Sequence, residues 1–344
     1  MADNTTGGRR APLVIRSPHD AVSAVPYLLG FHPDQSLVAI GTHGPHGTCA
    51  LRLDLPEPDA AAAAGRQVAG LLARHRFPRA LLIGYGPVRQ VTPVIDAVGV
   101  ALAGEGVEVC ELLRVEGGRW WSYLCTDLGC CPPEGTPFDV STSVVAAQAT
   151  WAGHVALADR AELVRSVAPV GGVARAAMRR ATGRAEARLA GWAGGALAVR
   201  ARLEGEGLPV VRELSGRARA GGDPPDDDEV AWLGLLLTSV RLRDELWVRI
   251  DEEHLDAHIA FWRYVLCRVE ERYAAAPASL LAYAAYTAGD GGLANVALDR
   301  AFGADPGYSM AKLLREVMRC GLPPSDARLR MTPEDLADAH LPHP

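Results

Sequence analysis

The sequence predicts an α/β N-terminal domain, a mixed sheet with helices, followed by an all-α domain of helical hairpins. Three observations predict it. Short β-type runs alternate with helical periods through the first 140 residues, the strand signal stops near Ser141, and apolar residues beyond it recur at helical spacing between glycine and proline breaks. A chain of 344 residues also exceeds the roughly 250–300 that a single core usually fills, so two cores are expected. The expected boundaries are a disordered tail over 1–12, the α/β domain over 13–140, the helical domain over 141–330 and a C-terminal tail over 331–344.

Leu13-Val14-Ile15 reads as a brief strand. Ser17 then caps a helix with Pro18 in its first turn and Gly30 as its stop, and Pro26 predicts a kink or an early end. Ser36–Ile40 and Thr48–Asp54 form a hairpin around a glycine-rich loop that carries His43 and His46. Asp59 opens an alanine-rich helix to about His75. Ala80–Gly84 is a fully apolar strand, Pro93–Ala103 a helix, and Val107–Val115 with Arg119–Leu124 a second hairpin. Helices between apolar strands argue for a partly parallel sheet. Beyond Ser141 the expected helices are Ser141–Leu157, Ala161–Val167, Val173–Leu203, Asp228–Val240, Leu242–Ile250, Leu255–Tyr273, Ser279–Ala288, Leu293–Phe302 and Tyr308–Cys320. The acidic run at Asp226-Asp227-Asp228 suits the positive N-terminus of the helix after it.

A hydrophobic fraction of 49% and a charged fraction of 22% are those of a folded chain, which excludes wholesale disorder. No apolar run approaches the ~20 residues of a membrane span, so no membrane is expected. No apolar stretch follows Arg9 and Arg10, and the seven cysteines are an odd number; both favour reduced thiols and a cytoplasmic location. The net charge of −6 conceals a basic segment, Arg160 to Gly221, with twelve arginines against five glutamates.

Gly289-Asp290-Gly291 separates two short helices, with Leu281 and Ala282 on the first, Ala294, Leu298 and Ala301 on one face of the second, and Pro306 after it. That spacing resembles the tetratricopeptide pattern, though its aromatic positions are poorly matched. Close helix packing explains the same small residues.

The segment from Trp120 to Pro137 places Cys125, Cys130 and Cys131 within seven residues of a proline-stiffened loop that follows a strand. Thiolates are soft ligands, so this loop can bind zinc or another thiophilic metal such as copper(I), with Cys110 on the paired strand as a fourth donor. The spacing departs from the usual two residues between zinc-ligating cysteines, and adjacent Cys130 and Cys131 do not easily reach one tetrahedral ion. The same pair can instead form a strained, reducible disulfide, or all three can be buried and inert.

The run Ser17-Pro18-His19-Asp20, then Pro26-Tyr27-Leu28-Leu29-Gly30-Phe31-His32-Pro33 with Ser36-Leu37-Val38, the Cys125 to Pro137 loop, and Ala288-Gly289-Asp290-Gly291 through Asp305-Pro306-Gly307-Tyr308 together resemble an actinobacterial family described only as a domain of unknown function. The resemblance covers nearly the whole chain. It implies an actinobacterial cytoplasm and brings no activity, cofactor or catalytic residue with it.

Other candidates are weaker. His254 and His258 share a helix face with Asp251 and can share a metal, but the glutamate of a zinc peptidase helix is missing; a solvated face is the simpler reading. Gly84-Tyr85-Gly86-Pro87 is a strand-to-helix turn where backbone amides could meet an anion, without either phosphate-loop fingerprint. The helix from Arg175 to Arg188 presents Arg180, Arg184 and Arg188 as a row that can bind anions such as nucleic-acid phosphates, or pair with the protein's own acidic residues. Three functions follow in order: a non-enzymatic protein binding a protein partner through its helical half, a metal or thiol-redox protein using Cys125, Cys130 and Cys131, and a nucleic-acid binder. No catalytic residue is assigned.

Overall fold

The structure, a computed structural model, describes residues 15–45 and 47–338. The expected N-terminal tail, most of the Leu13–Ile15 strand and His46 lie outside the described residues. The chain is an α/β domain followed by a helical one. It divides into two compact units, the first through Glu162 and the second from Leu163.

In the first unit the order is α1 (Pro18–Leu29), β1 (Ser36–Gly44), β2 (Gly47–Asp54), α2 (Ala61–Arg74), β3 (Arg79–Tyr85), α3 (Val88–Gly104), β4 (Glu108–Glu116), β5 (Arg119–Ser122), β6 (Thr136–Pro137) and α4 (Val144–Trp151). The six strands form one sheet in the order β2-β1-β3-β4-β5-β6. Only β3 and β4 are parallel, because α3 carries the chain back across the sheet between them; the other neighbouring pairs are antiparallel. Leu37, Ala39, Ala80 and Leu82 pack with Val68 and Leu72 of α2 and Val91, Ile95 and Val98 of α3 in one core. Strand alternation sends Ser36, Val38, Ile83 and Tyr85 to the opposite face, where α1 packs with α4. Secondary structure turns helical after Ser141, and the compact unit runs on to Glu162 through α4 and a bridge between Phe31 and Leu157.

The Ser17 side chain caps α1 as expected, accepting from the amide of Asp20, and Gly30 ends it in a left-handed conformation. The early end expected at Pro26 does not occur. The helix continues to Leu29, because Ala24, Val25 and Pro26 are buried and packing outweighs one lost backbone bond. Likewise α3 begins at Val88, not Pro93, since Val91 already packs into the core and draws the helix a turn and a half earlier.

The helix α5 (Arg160–Arg165) spans the division, and the second unit holds α6 (Gly172–Ala190), α7 (Ala196–Arg219), α8 (Asp227–Leu236), α9 (Val240–Trp247), α10 (Leu255–Arg268), α11 (Ala275–Thr287), α12 (Gly291–Ala304), α13 (Ser309–Arg319) and α14 (Pro333–Asp338). The single helix expected over Val173–Leu203 is two, broken at Gly191 to Gly195, and the second runs on to Arg219 with Pro209 inside it. Asp226 and Glu229 form a capping box at the start of α8, which is how the acidic run is used. Every residue of α11 from Ala275 to Ala285 is buried, so this alanine-rich helix is central to its unit, paired with α12 and flanked by α10 and α13.

Candidate metal centre

The loop that carries the three cysteines starts from a tight hairpin. Gly117 and Gly118 have φ of 56° and 73°, the two positive values that a two-residue turn between β4 and β5 requires. The turn places Arg114 and Trp121 opposite each other, and the guanidinium stacks 3.6 Å from the indole centroid. Trp121 Nε1 donates to the Pro133 carbonyl at 3.0 Å, and Arg119 donates to the Gly135 carbonyl at 2.7 Å. Gly135 has φ of 81° and packs against the edge of the Trp121 indole, where a β-carbon would come within 2.4 Å of the ring. The far limb of the loop is thus fastened to β5 by contacts that need no ligand.

The near limb is fastened by side chains of the sheet. Ser122 Oγ accepts from the amides of Leu124 and Cys125 and donates to Glu111 Oε1 at 2.7 Å. The tip is closed by Asp127. Its carboxylate accepts from the Gly129 amide at 2.8 Å, and its carbonyl accepts from the amides of both Cys130 and Cys131, at 3.1 and 2.8 Å. One carbonyl therefore turns two successive residues back over the start of the loop.

The result is a cluster of the Cys125, Cys130 and Cys131 thiols, all within 4.8 Å of one another, and among the described residues this is the one such group of potential metal ligands. The Cys130 and Cys131 sulfurs are 3.9 Å apart. A tetrahedral zinc ion with bonds near 2.3 Å separates its sulfurs by roughly 3.8 Å, so adjacent cysteines here do reach the spacing of one ion. Desolvation, then hydrogen bonds with Cys125 and Cys130, pushes the Cys131 thiol up to about 12. Cys110 is exposed on β4 beside the Arg79–Glu108 ion pair and is not one of the three clustered thiols. Cys125 and Cys131 are half-buried and Cys130 is exposed, so all three stand at the surface rather than inside the core.

The other candidates resolve differently. His254 Nδ1 and His258 Nε2 both face the Asp251 carboxylate, at 2.7 and 3.5 Å, with Arg219 on the same group at 3.6 Å. The solvated-face reading is corrected, because His258 is 3% exposed and clasps Asp251 from the interior. Desolvation first, then Arg219 and His254, lower its pKa against the pull of Asp251. His43 is exposed and touches Thr42.

In the arginine row, Arg184 pairs with Asp228, and Arg188 pairs with Glu206 while lying 4.1 Å over the Trp232 ring. Arg175 is tied to the Val269 carbonyl and to Glu270. Arg180 makes no ion pair among the described residues. Gly84 to Pro87 is a strand-to-helix turn, with Val88 starting α3. No helix among the described residues is long and apolar enough to cross a membrane.

Sequence reading missed Trp121 and Asp127 as organisers of the thiol cluster. Trp121 was visible only as half of a tryptophan pair, and nothing in a sequence marks a carbonyl that accepts two amides. No curated protein and no solved structure matches the chain. A family model described as "Domain of unknown function (DUF4192)" matches residues 18–325, and the chain belongs to that family.

Proposed function

We propose that the Cys125–Cys131 loop binds one thiophilic cation, zinc or copper(I), through three thiolates, and that the α/β unit acts as a metal-binding module. The observation that carries this is the convergence of three thiols within 4.8 Å on a loop braced at both ends by Trp121, Arg119 and Ser122. A braced loop binds with less ordering cost than a floppy one. With Cys110 outside the cluster, a fourth position falls to water or to a donor from another molecule. Elemental analysis with thiol counting on anaerobically purified protein tests it. About one metal per chain, lost in Cys125→Ser, Cys130→Ser and Cys131→Ser, supports the module; no metal after zinc or copper(I) reconstitution and seven titratable thiols sink it.

Partner binding by the helical unit is the second reading. It is favoured by two large apolar side chains left in solvent, Val173 and Leu197, each 85% exposed in the first turns of α6 and α7. Replacing both with Asp abolishes the interaction if these turns dock a partner and leaves the fold unchanged. Binding that survives the double substitution removes this surface from consideration.

A further inference from the structure

The thiol cluster supplies three sulfur donors, and a zinc ion in a closed site takes four. No other histidine, cysteine, aspartate or glutamate among the described residues joins the group. Asp127, inside the loop, turns its carboxylate onto the Gly129 amide at 2.8 Å. One position on the ion is therefore left for a donor from beyond these residues.

The loop that carries the thiols also holds two apolar side chains in solvent. Leu124, next to Cys125, is 49% exposed, and Leu128, between Cys125 and Cys130 in the chain, is 68% exposed. The Ser122 hydroxyl accepts from the Leu124 amide, and the turn that contains Leu128 is closed by Asp127, so the backbone carrying both leucines is pinned. Pinned apolar groups at an incomplete metal site mark a surface that another molecule covers.

The three thiols differ in reach. Cys125 and Cys131 are half-buried, whereas Cys130 is exposed, with its sulfur 3.9 Å from that of Cys131. Six thiolates around two zinc ions, two of them shared, form a zinc cluster that proteins use. Closed homo-oligomers are mostly two-fold, and a two-fold axis brings the same patch of both copies together. Two copies of this loop bring six thiolates to two ions. With Cys130 of each copy as the shared ligand, every ion has four sulfurs and no donor beyond those of the loop is needed. A second copy thus matches the deficit in kind and in number. Each chain releases three thiol protons to solvent for the one zinc ion it binds.

We infer that the Cys125–Cys131 loop is a zinc-dependent dimerisation surface, in which Cys130 of each copy bridges the two ions and Leu124 and Leu128 are covered. The inference rests on the metal reading above. Four leucine side chains fall far short of the ~1,000 Å² that a stable interface buries, so the ions hold the copies together and the metal-free chain is a monomer.

Size-exclusion chromatography with light scattering on the full chain, purified anaerobically, tests it with one equivalent of zinc and again after EDTA. A mass of two chains with one zinc per chain is expected, falling to one chain when zinc is removed. X-ray absorption at the zinc edge should show sulfur as the only first neighbour. Leu124→Asp combined with Leu128→Asp, at two exposed positions, is expected to keep the parent's circular dichroism and to bind zinc as a monomer, at least tenfold more weakly. One zinc on a parent monomer, an oxygen or nitrogen neighbour at the ion, or a dimer that survives EDTA or the double substitution overturns the inference and leaves the metal reading standing. Binding of copper(I) alone does the same, and binding of neither metal removes both.

Discussion

Trp121 Nε1 donates to the Pro133 carbonyl across 3.0 Å, and by this bond a strand residue holds the loop that presents Cys130 and Cys131. The same indole is covered on one side by Arg114 and seats Gly135 at its edge, so a single side chain joins the sheet to the thiol cluster.

Trp121→Phe keeps an aromatic ring but removes that donor. Loss of one hydrogen bond is expected to cost about 1 kcal/mol of stability, read by urea unfolding. If the loop is held for metal, zinc affinity falls about tenfold in a chelator competition assay, which corresponds to about 1.4 kcal/mol. Unchanged affinity would separate the clamp from the site.

Metal binding should be steeply dependent on pH. The cation must displace thiol protons, and Cys131, held at about 12, gives up its proton reluctantly. Affinity therefore rises with pH, by about tenfold for each displaced proton between about pH 6.5 and about pH 7.5. Zinc competition titrations at the two pH values check the slope, and a flat profile would show that the thiols are not the ligands.

His258 contributes an acid-sensitive term to the helical unit. Desolvation keeps its folded pKa below the ordinary 6.5, so as pH falls through 6.5 the unfolded chain takes up a proton that the folded chain resists. Stability from this group is complete above 6.5 and declines below it, until the folded imidazole also titrates. Asp251 acts lower. Desolvation raises it, but the hydrogen bonds from His254 and His258 prevail and lower it, so its contribution is lost only as pH falls past 3.8. Urea unfolding of His258→Gln against the parent, from neutral pH to mild acid, should show a shallower decline in the variant.

Glu245 is fully buried, with Arg212 and Arg249 each 2.6 Å from its Oε1. Desolvation raises its pKa, yet the two arginines bring it below the ordinary value, so it is ionised in the fold. Glu245→Ala is expected to cost about 2–3 kcal/mol, less than a fully buried pair because Arg212 is half exposed. Glu245→Gln, which keeps one acceptor, is expected to lose less. Chemical denaturation of the two variants orders them, and equal losses would mean that packing, not charge, holds this position.

The order of strands and helices was legible because it rests on local signals: the cap at Ser17, the stop at Gly30, the apolar run of β3, the breaks flanking α12. What was illegible depends on contacts between distant residues. Pro26 and Pro93 looked like helix ends, and burial of their neighbours overrode them. The three cysteines were legible as chemistry; their convergence was not, since it depends on Ser122, Asp127 and Trp121 acting together. The alignment of Ser36, Tyr85, Trp120 and Thr136 along one rung of the sheet was invisible, because they are a hundred residues apart in sequence at the extremes and meet only through strand register.

The shared acceptor at Asp127 has a mechanical consequence for the neighbouring thiols. Two amides anchored to one oxygen fix the peptide between Cys130 and Cys131 in a single orientation, and the sulfurs come to rest at 3.9 Å. A disulfide needs them near 2.05 Å, so closing that ring would twist the peptide and pull at least one amide off its acceptor. The backbone thus acts as a spacer that holds the pair apart and opposes its closure into a disulfide.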